Sequence, residues 1–556
     1  MEYVLFFATV FAILLIIMIF GVIEERRLEK LFARRMKSLF GKKIEKKRSV
    51  DYISFYADKK SSPDMITVND LELDMVFDRI DYTASRIGEE ILSKILTEPV
   101  YDTEELKKRN SHIDFFSDNE YDRIRLLVLM RKMDHNLKVP FFEVLDFIVG
   151  SEKKNMYPSV IADVLLVISL ILAVFVNSVM FLPLIVICIY QAFVYYRIKK
   201  GVEIYLPSTS LIISLSNAFS SYKGFSKEFY EEFDEEFKEI KSISDSLSAL
   251  GRFSFLAFNV SDGMDLAGII MTYVNMIFHF DLIKLYSMFR LITEKKDEIL
   301  RMYELIGFIE AWDSVSYFRA SVDTWSRPDH FKHTDTSTTN ASNPDIKIKD
   351  IYHPLIDDAV KNDISTNGKG VLFTGSNASG KSTFIKAVAI NVLFSQTIAT
   401  VLASEYKAPF FMVYTSMALR DDVTGGKSYF VVEVESVKRI FDAANDKVPL
   451  LILIDEVLRG TNTAERIGAA YAILNDLSDK NALVFTATHD LELTGLLSKK
   501  YDNKHFDEDG GDDDVSFSYK LKDGPATERN AIRLMKKAGF DLKIIEEAER
   551  TAKEYL

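Results

Sequence analysis

The sequence predicts an α/β domain at the C-terminal end of a mainly helical chain that also carries membrane-spanning helices. Three observations predict it. From residue 346 onward, short apolar runs such as "GVLFTG" and "VPLLILIDEV" alternate with helical stretches, the pattern of a largely parallel sheet. In 66–150 and 201–330, apolar residues recur at three- and four-residue steps, as in "LELDMVFDRIDYTASRIGEEILSKIL". Three other stretches are apolar for long enough to cross a bilayer.

The first of these is 3–23, "YVLFFATVFAILLIIMIFGVI". It lacks the positive leader and small-residue cleavage site of a signal peptide, so residues 1–23 are expected to anchor the chain. The basic stretch "EERRLEKLFARRMKSLFGKKIEKKR" follows, which puts the N-terminus outside and the rest in the cytoplasm, as at a bacterial inner membrane. Residues 24–50 should form a basic juxtamembrane helix, with Leu28, Leu31, Phe32, Leu39 and Phe40 on one face. Lying on anionic lipid is the favoured reading; a DNA-binding arm and a solvated helix are the alternatives.

The other two apolar stretches are 159–176 and 179–196, joined by Asn177 and Ser178. Lys153 and Lys154 precede them and Arg197, Lys199 and Lys200 follow. Both outer ends therefore read as cytoplasmic, and 159–196 as a membrane hairpin interrupting a helical domain over 66–330. A buried soluble hairpin is the competing reading. Residues 329–345, rich in Ser, Thr and Asn, read as a linker ahead of the α/β domain at 346–556.

With 556 residues, several domains are expected. The net charge of −13 argues against a basic surface spread over the whole chain, but leaves room for a local basic groove. Cys188 is the single cysteine, which excludes an intrachain disulfide and a cysteine metal cluster.

The chemistry concentrates in four places. "GVLFTG" is a buried strand running into "TGSNASGKST", with the spacing Gly375-x-x-x-x-Gly380-Lys381-Ser382. Glycines let backbone N–H groups wrap phosphate oxygens, and the following helix adds its positive end. Lys381 is expected at the β- and γ-phosphates and the Ser382 hydroxyl on Mg²⁺, with Thr383 following in the loop. A second buried strand, "VPLLILIDEV", delivers Asp455 to Mg²⁺ and Glu456 to the attacking water. A third, "ALVFTATHD", ends at His489, placed to sense a γ-phosphate. The stretch "VTGGKSYF" sets Ser428 just before a helix, a second candidate phosphate-binding helix start. Two such sites suit a nucleotide sandwiched between two subunits.

Together these stretches resemble the ATPase domain of the MutS family of DNA mismatch repair proteins, a branch of the ABC-type ATPases. "TGSNASGKST", "DDVTGGKSYFVVEVES", "LILIDEVLRGTNTAE" and "TATHDLEL" each resemble a family motif, and "YKLKDGPATERNAIRLMKKAGFDLKIIEEAE" resembles its closing segment. The likeness is specific over 346–556. A looser one over 66–330 implies the family's helical core and lever domain. It implies a homodimer with two ATP sites, in which Lys381, Ser382, Asp455, Glu456 and His489 act in cis and Ser428 in trans. Asn377 matches the family's loop asparagine. Ser376, Ala378 and Ser379 stand where the family has Pro, Met and Gly, and Leu458 where it has Gly. No stretch matches the mismatch-reading domain or its Phe-x-Glu wedge.

The expected function is thus a membrane-anchored ATPase that uses ATP and Mg²⁺ to clamp or remodel DNA, without the usual mismatch reader. An ABC-type transporter is the alternative, weakened by "VTGGKS" where a transporter carries an LSGGQ-like signature. A non-enzymatic scaffold is disfavoured by the intact Lys381, Asp455 and Glu456.

Overall fold

The structure is a computed structural model. It describes every residue except 1, 45, 47–49, 58–62, 135–138, 152–156, 176–178, 180, 203–210, 213, 216–218, 220, 249–272, 332–343, 377–378, 418–428, 445–446, 459–460, 510–515, 527–531, 533–534, 536–537 and 555–556. The chain forms two compact units. One comprises Met1–Phe40, Tyr82–Leu92 and His112–Tyr317; the other comprises Gly41–Asp81, Ser93–Ser111 and Phe318–Leu556.

The first unit is helical. Its N-terminal apolar stretch and much of the basic stretch form one uninterrupted helix, Glu2–Leu39. The apolar stripe of its basic half is divided. Phe32 lies under the Arg131 guanidinium and Phe40 under that of Arg123. The Tyr317 hydroxyl donates to the Met36 carbonyl at 3.2 Å. Lys37 pairs with Glu120, and Glu29 with Lys132. Leu28 and Leu31 are exposed. The expectation of one lipid-facing row is therefore corrected: Phe32 and Phe40 are used for packing against the helix Glu120–Met133, because arginines there cover their rings.

Deeper in this unit, Glu310 accepts from the backbone N–H groups of Ala84 and Ser85 at 2.6 and 3.0 Å. Glu90 accepts from the Tyr303 hydroxyl at 2.9 Å. Each buried carboxylate thus meets donors where it is removed from water. The apolar hairpin is formed by the helices Tyr157–Phe175 and Phe181–Val202, which pack together. Gln191 donates to Asp163 across them at 2.7 Å, while Val174, Leu182, Val186, Ile189 and Phe193 point outward and are exposed. Among the described residues, Phe181–Gly201 is the one helix long and apolar enough to cross a membrane, judged by length and composition; Ile161–Phe175 is apolar but shorter.

Among the described residues, the second unit holds ten strands: β1 (Asp329–His330), β2 (Lys347–Ile351), β3 (Asn362–Ser365), β4 (Gly370–Thr374), β5 (Glu405–Ala408), β6 (Met412–Ser416), β7 (Leu450–Asp455), β8 (Ala482–Ala487), β9 (Tyr501–Asp509) and β10 (Ser516–Asp523). Six make the main sheet in the order β10-β9-β4-β8-β7-β6. All its neighbours are parallel except β10 on β9. β4 and β8 are buried along their whole length and β7 along all but its last residue. That is why they read as continuous apolar runs rather than alternating ones. A smaller sheet of order β1-β5-β2-β3 lies in the same unit.

One side of the main sheet buries Leu372, Ile452, Ile454 and Val484 against Leu474 and Leu477 of the helix Thr463–Leu477. The helix Lys381–Thr397 is buried at most of its positions, polar Asn391 and Gln396 included. Asn391 accepts from the Leu402 N–H and Gln396 from the Phe411 N–H, both at 2.6 Å, so these amides fix the chain that wraps the helix. Segments far upstream complete this unit. Val100 N–H donates to the Gln396 carbonyl at 2.8 Å, and Arg109 to the Thr397 carbonyl at 2.7 Å.

Candidate nucleotide-binding site

The site forms where β4, β8 and β7 end together. Phe373 of β4 and Asp455 of β7 both pair with Ala487 of β8, so the three stand in one row. The ladder runs one residue further. Thr488 N–H donates to the Phe373 carbonyl at 3.0 Å and Glu456 N–H to the Ala487 carbonyl at 2.9 Å. This register alone brings the residues after Thr374, the pair Asp455–Glu456, and His489 to one edge of the sheet.

The turn after β4 carries Gly375 and Gly380 at φ of 131° and 96°, conformations that side chains with a Cβ rarely adopt. Ser379 Oγ donates to the Ser376 carbonyl at 2.8 Å, drawing the loop closed. Gly380 then caps the helix that opens at Lys381. The buried Lys381 ammonium donates to the carbonyls of Gly375 and Ser376 at 2.7 and 2.6 Å, held inside its own loop. Thr383 lies half-buried in the first turn of that helix.

Ser382 Oγ donates to Asp455 Oδ2 at 2.5 Å, across β8. A hydroxyl and a carboxylate converging on one point are the hard oxygen ligands that suit Mg²⁺. No group of three or more His, Cys, Asp or Glu residues among the described residues would hold a metal by itself.

Glu456 Oε1 lies 3.1 Å from His489 Nε2. Glu456 and Leu458 both have left-handed backbones, with φ of 62° and 56°. For residues other than glycine such strain clusters at functional sites. At Leu458 it explains why a glycine suits this place; here the leucine side chain is buried against the core instead. The turn after His489 is tied down by Asp490, which accepts from Arg466 Nε and Nη2 at 2.9 and 2.6 Å. Arg466 stands one turn into the helix that Asn462 caps through the Glu465 N–H at 3.0 Å. Asn377 and Ser428 lie outside the described residues.

Three residues of the site were not singled out from the sequence. Tyr519 sits at a bulge of β10 with φ of 52°, and its ring stands 3.1 Å from where a Cβ on Gly380 would lie. Asn362 pins that bulge on both sides: its amide donates to the Tyr519 carbonyl at 2.9 Å, and its oxygen accepts from the Leu521 N–H at 2.8 Å. His353 is buried with Lys386 and Glu72 nearby; burial and then the Lys386 charge lower its pKa to about 4. Its Nδ1 accepts from the Leu355 N–H at 3.3 Å, which requires the neutral ring. In the sequence, His353 and Asn362 stand in "IYHPLI" and "VKND" upstream of β4, and Tyr519 opens the closing segment "YKLKDG".

The geometry is that of a glycine-bearing loop backed by a hydroxyl–carboxylate pair and a carboxylate–histidine pair. Residues 371–555 match the family model described as MutS domain V. This stretch of the chain is similar to MutS domain V. The chain is 33% identical over 210 residues to the DNA mismatch repair protein MutS of Thermus thermophilus, an overlap of 36% of this chain and 25% of that protein. It is 31% identical over 274 residues to MutS of Thermotoga maritima, covering 46% of this chain and 32% of that one. The "DNA mismatch repair protein MutS 2" of Haloarcula marismortui is 35% identical over 177 residues, 31% of this chain and 18% of that protein. The chain thus spans about a quarter of the length of the first of these MutS relatives.

Proposed function

We propose that this chain is a membrane-anchored MutS-type ATPase whose two nucleotide sites are completed in a homodimer, and that ATP turnover drives clamping on or remodelling of DNA. The observation that carries the ATPase reading is the contact of Ser382 with Asp455 at 2.5 Å beside the Glu456–His489 pair. In this reading Lys381 leaves its loop carbonyls for the phosphates, with Gly375, Asn377, Gly380 and Thr383 completing the cradle. Ser382 and Asp455 hold Mg²⁺, which supplies charge neutralisation to the phosphates when bound. Glu456 accepts the proton of the attacking water and His489 orients it. Tyr519 offers a ring face at the mouth of the loop for the base. Ser428 serves the partner's nucleotide.

The membrane reading rests on the outward-facing apolar side chains of the hairpin helices and on the Lys and Arg residues that flank each apolar stretch. It places the ATPase domain in the cytoplasm of a bacterial-type cell, under the inner membrane, with the N-terminus outside. The relatives' printed names supply the DNA reading, which the helical unit and the local basic stretch leave open.

The test is ATP turnover by the full chain in detergent, alone and with duplex, mismatched and branched DNA at several salt concentrations. Stimulation or binding that weakens steeply with salt supports the DNA arm. Turnover indifferent to every DNA form, with no DNA bound at low salt, overturns that arm and leaves the ATPase arm standing.

A further inference from the structure

A residue near the start of one helix grips the turn that carries His489. The chain leaves β8 at Ala487, and the buried Thr488 donates its N–H to the Phe373 carbonyl of β4 at 3.0 Å. Thr488 Oγ1 accepts from the Asp490 N–H at 3.0 Å. The Asp490 carboxylate accepts from both Nε and Nη2 of Arg466, at 2.9 and 2.6 Å. Two donors on one carboxylate fix direction as well as distance. The Arg466 and Asp490 side chains are 25% and 12% exposed, so the pair is not one of the solvated surface bridges that contribute little.

His489 is therefore bracketed by Thr488, tied to β4, and by Asp490, tied to the helix Thr463–Leu477. Arg466 stands near the N-terminus of that helix, where the helix dipole disfavours a cation. Its neighbours supply the reason for it to be there. The hydrogen bonds to Asp490 raise its pKa against burial, and the charges of Asp490, Glu456 and Glu492 add to this. The segment beyond the turn is held by other means: Leu493 and Leu497 are buried in the core that also takes Leu474 and Leu477. Breaking the grip on Asp490 would thus release the His489 turn and leave the helix Glu492–Leu496 in place.

We propose that Arg466 is a positioning residue for ATP hydrolysis: by gripping Asp490 it holds the His489 imidazole at Glu456, where the attacking water is to be oriented. This rests on the reading of the chain as an ATPase in which Glu456 and His489 serve that water. In this assignment Arg466 acts through His489 and not on the nucleotide itself. Misplacing a contributing group by about 1 Å costs on the order of 10²-fold in rate. A loosened His489 should therefore slow the chemical step and spare nucleotide binding, which falls to Lys381 and its loop.

The experiment measures ATP hydrolysis and nucleotide binding by the full chain in detergent. Arg466→Ala should lower kcat at least about tenfold while Kd for a non-hydrolysable ATP analogue stays within about threefold. Arg466→Lys keeps the charge without the fork, and should recover only part of the rate. Asp490→Asn, which keeps the shape, should show the same split between rate and binding. Arg466→Ala and Asp490→Asn combined should cost no more than about twofold beyond the worse of the two, as expected of residues that act as one unit. Retained analogue binding reports that the domain is folded; if Arg466→Ala loses it, Asp490→Asn decides. Rate and binding lost together in both variants, or kcat kept in both, overturns the proposal. So do losses that multiply in the double variant. If His489→Ala turns over as the unaltered protein does, His489 has no part in hydrolysis and this proposal falls with it. If the unaltered protein does not hydrolyse ATP, the ATPase reading itself fails.

Discussion

His489 Nε2 stands 3.1 Å from Glu456 Oε1, at the ends of two neighbouring strands that the sheet register brings level. The carboxylate that would take a proton from water is thus already partnered by a side chain that can hold or release one. Glu456→Gln should bind ATP with little change and hydrolyse it on the order of 10²-fold more slowly. Single-turnover hydrolysis beside equilibrium nucleotide binding checks it; ordinary turnover by the variant would remove Glu456 from its role.

Ser382 and Asp455 are expected to act on the metal rather than on the nucleotide as such. Asp455→Asn should raise the Mg²⁺ concentration needed for half-maximal turnover by about tenfold or more, because a neutral amide is a weaker ligand for a hard cation. Titrating Mg²⁺ at fixed ATP reads this directly. An unchanged Mg²⁺ requirement with a lowered kcat would place Asp455 elsewhere in the chemistry.

His353 makes the domain's stability depend on pH. Its folded pKa is lowered to about 4, so the unfolded chain binds the proton first as pH falls. The stability held by the neutral ring is present above the ordinary histidine value near 6.5 and is lost as pH falls from there to about 4, amounting to about 3 kcal/mol. Urea midpoints of the ATPase domain should therefore drop over that window in the full chain. In His353→Gln the drop over the same window should be much smaller.

Tyr519 should matter to nucleotide affinity more than to rate. Tyr519→Ala is expected to raise KM for ATP several-fold with kcat kept, and Tyr519→Phe to leave both nearly unchanged, since a ring face needs no hydroxyl. Asn362→Ala, which frees both sides of the bulge, should mimic the alanine variant. A fall in kcat alone would contradict the assignment.

The parts of the domain legible in the sequence are those whose physics is local. β4, β7 and β8 are buried along nearly their whole length, so each is a continuous apolar run, and each ends at the candidate site. The antiparallel pair β9 and β10 was not legible. Its strands, "YDNKHFDED" and "SFSYKLKD", are polar, and β10 is the edge of the sheet. Tyr519 opens the quoted closing segment, but its place beside Gly380 comes only from the fold. The hydrogen bond from Thr415 to Asp70 was hidden because its partners lie 345 residues apart, and hydrophobic period carries no information over such a distance. The basic helix was half legible. Its spacing gave the stripe, but only the packed structure tells which residues of it a neighbouring helix has claimed.

The helix Glu2–Leu39 runs from the apolar end to Phe40 without a break. At 1.5 Å per residue, its stretch beyond the apolar run measures ~24 Å. With residues 3–23 in lipid, as proposed, this makes a stiff strut rather than a leash. The helical unit would be carried at a set height from the bilayer, and any tilt of the anchor would be passed undamped to the packing around Phe40. A tether of this kind limits which polymers the protein can meet by their distance from the membrane, before any question of sequence or shape arises.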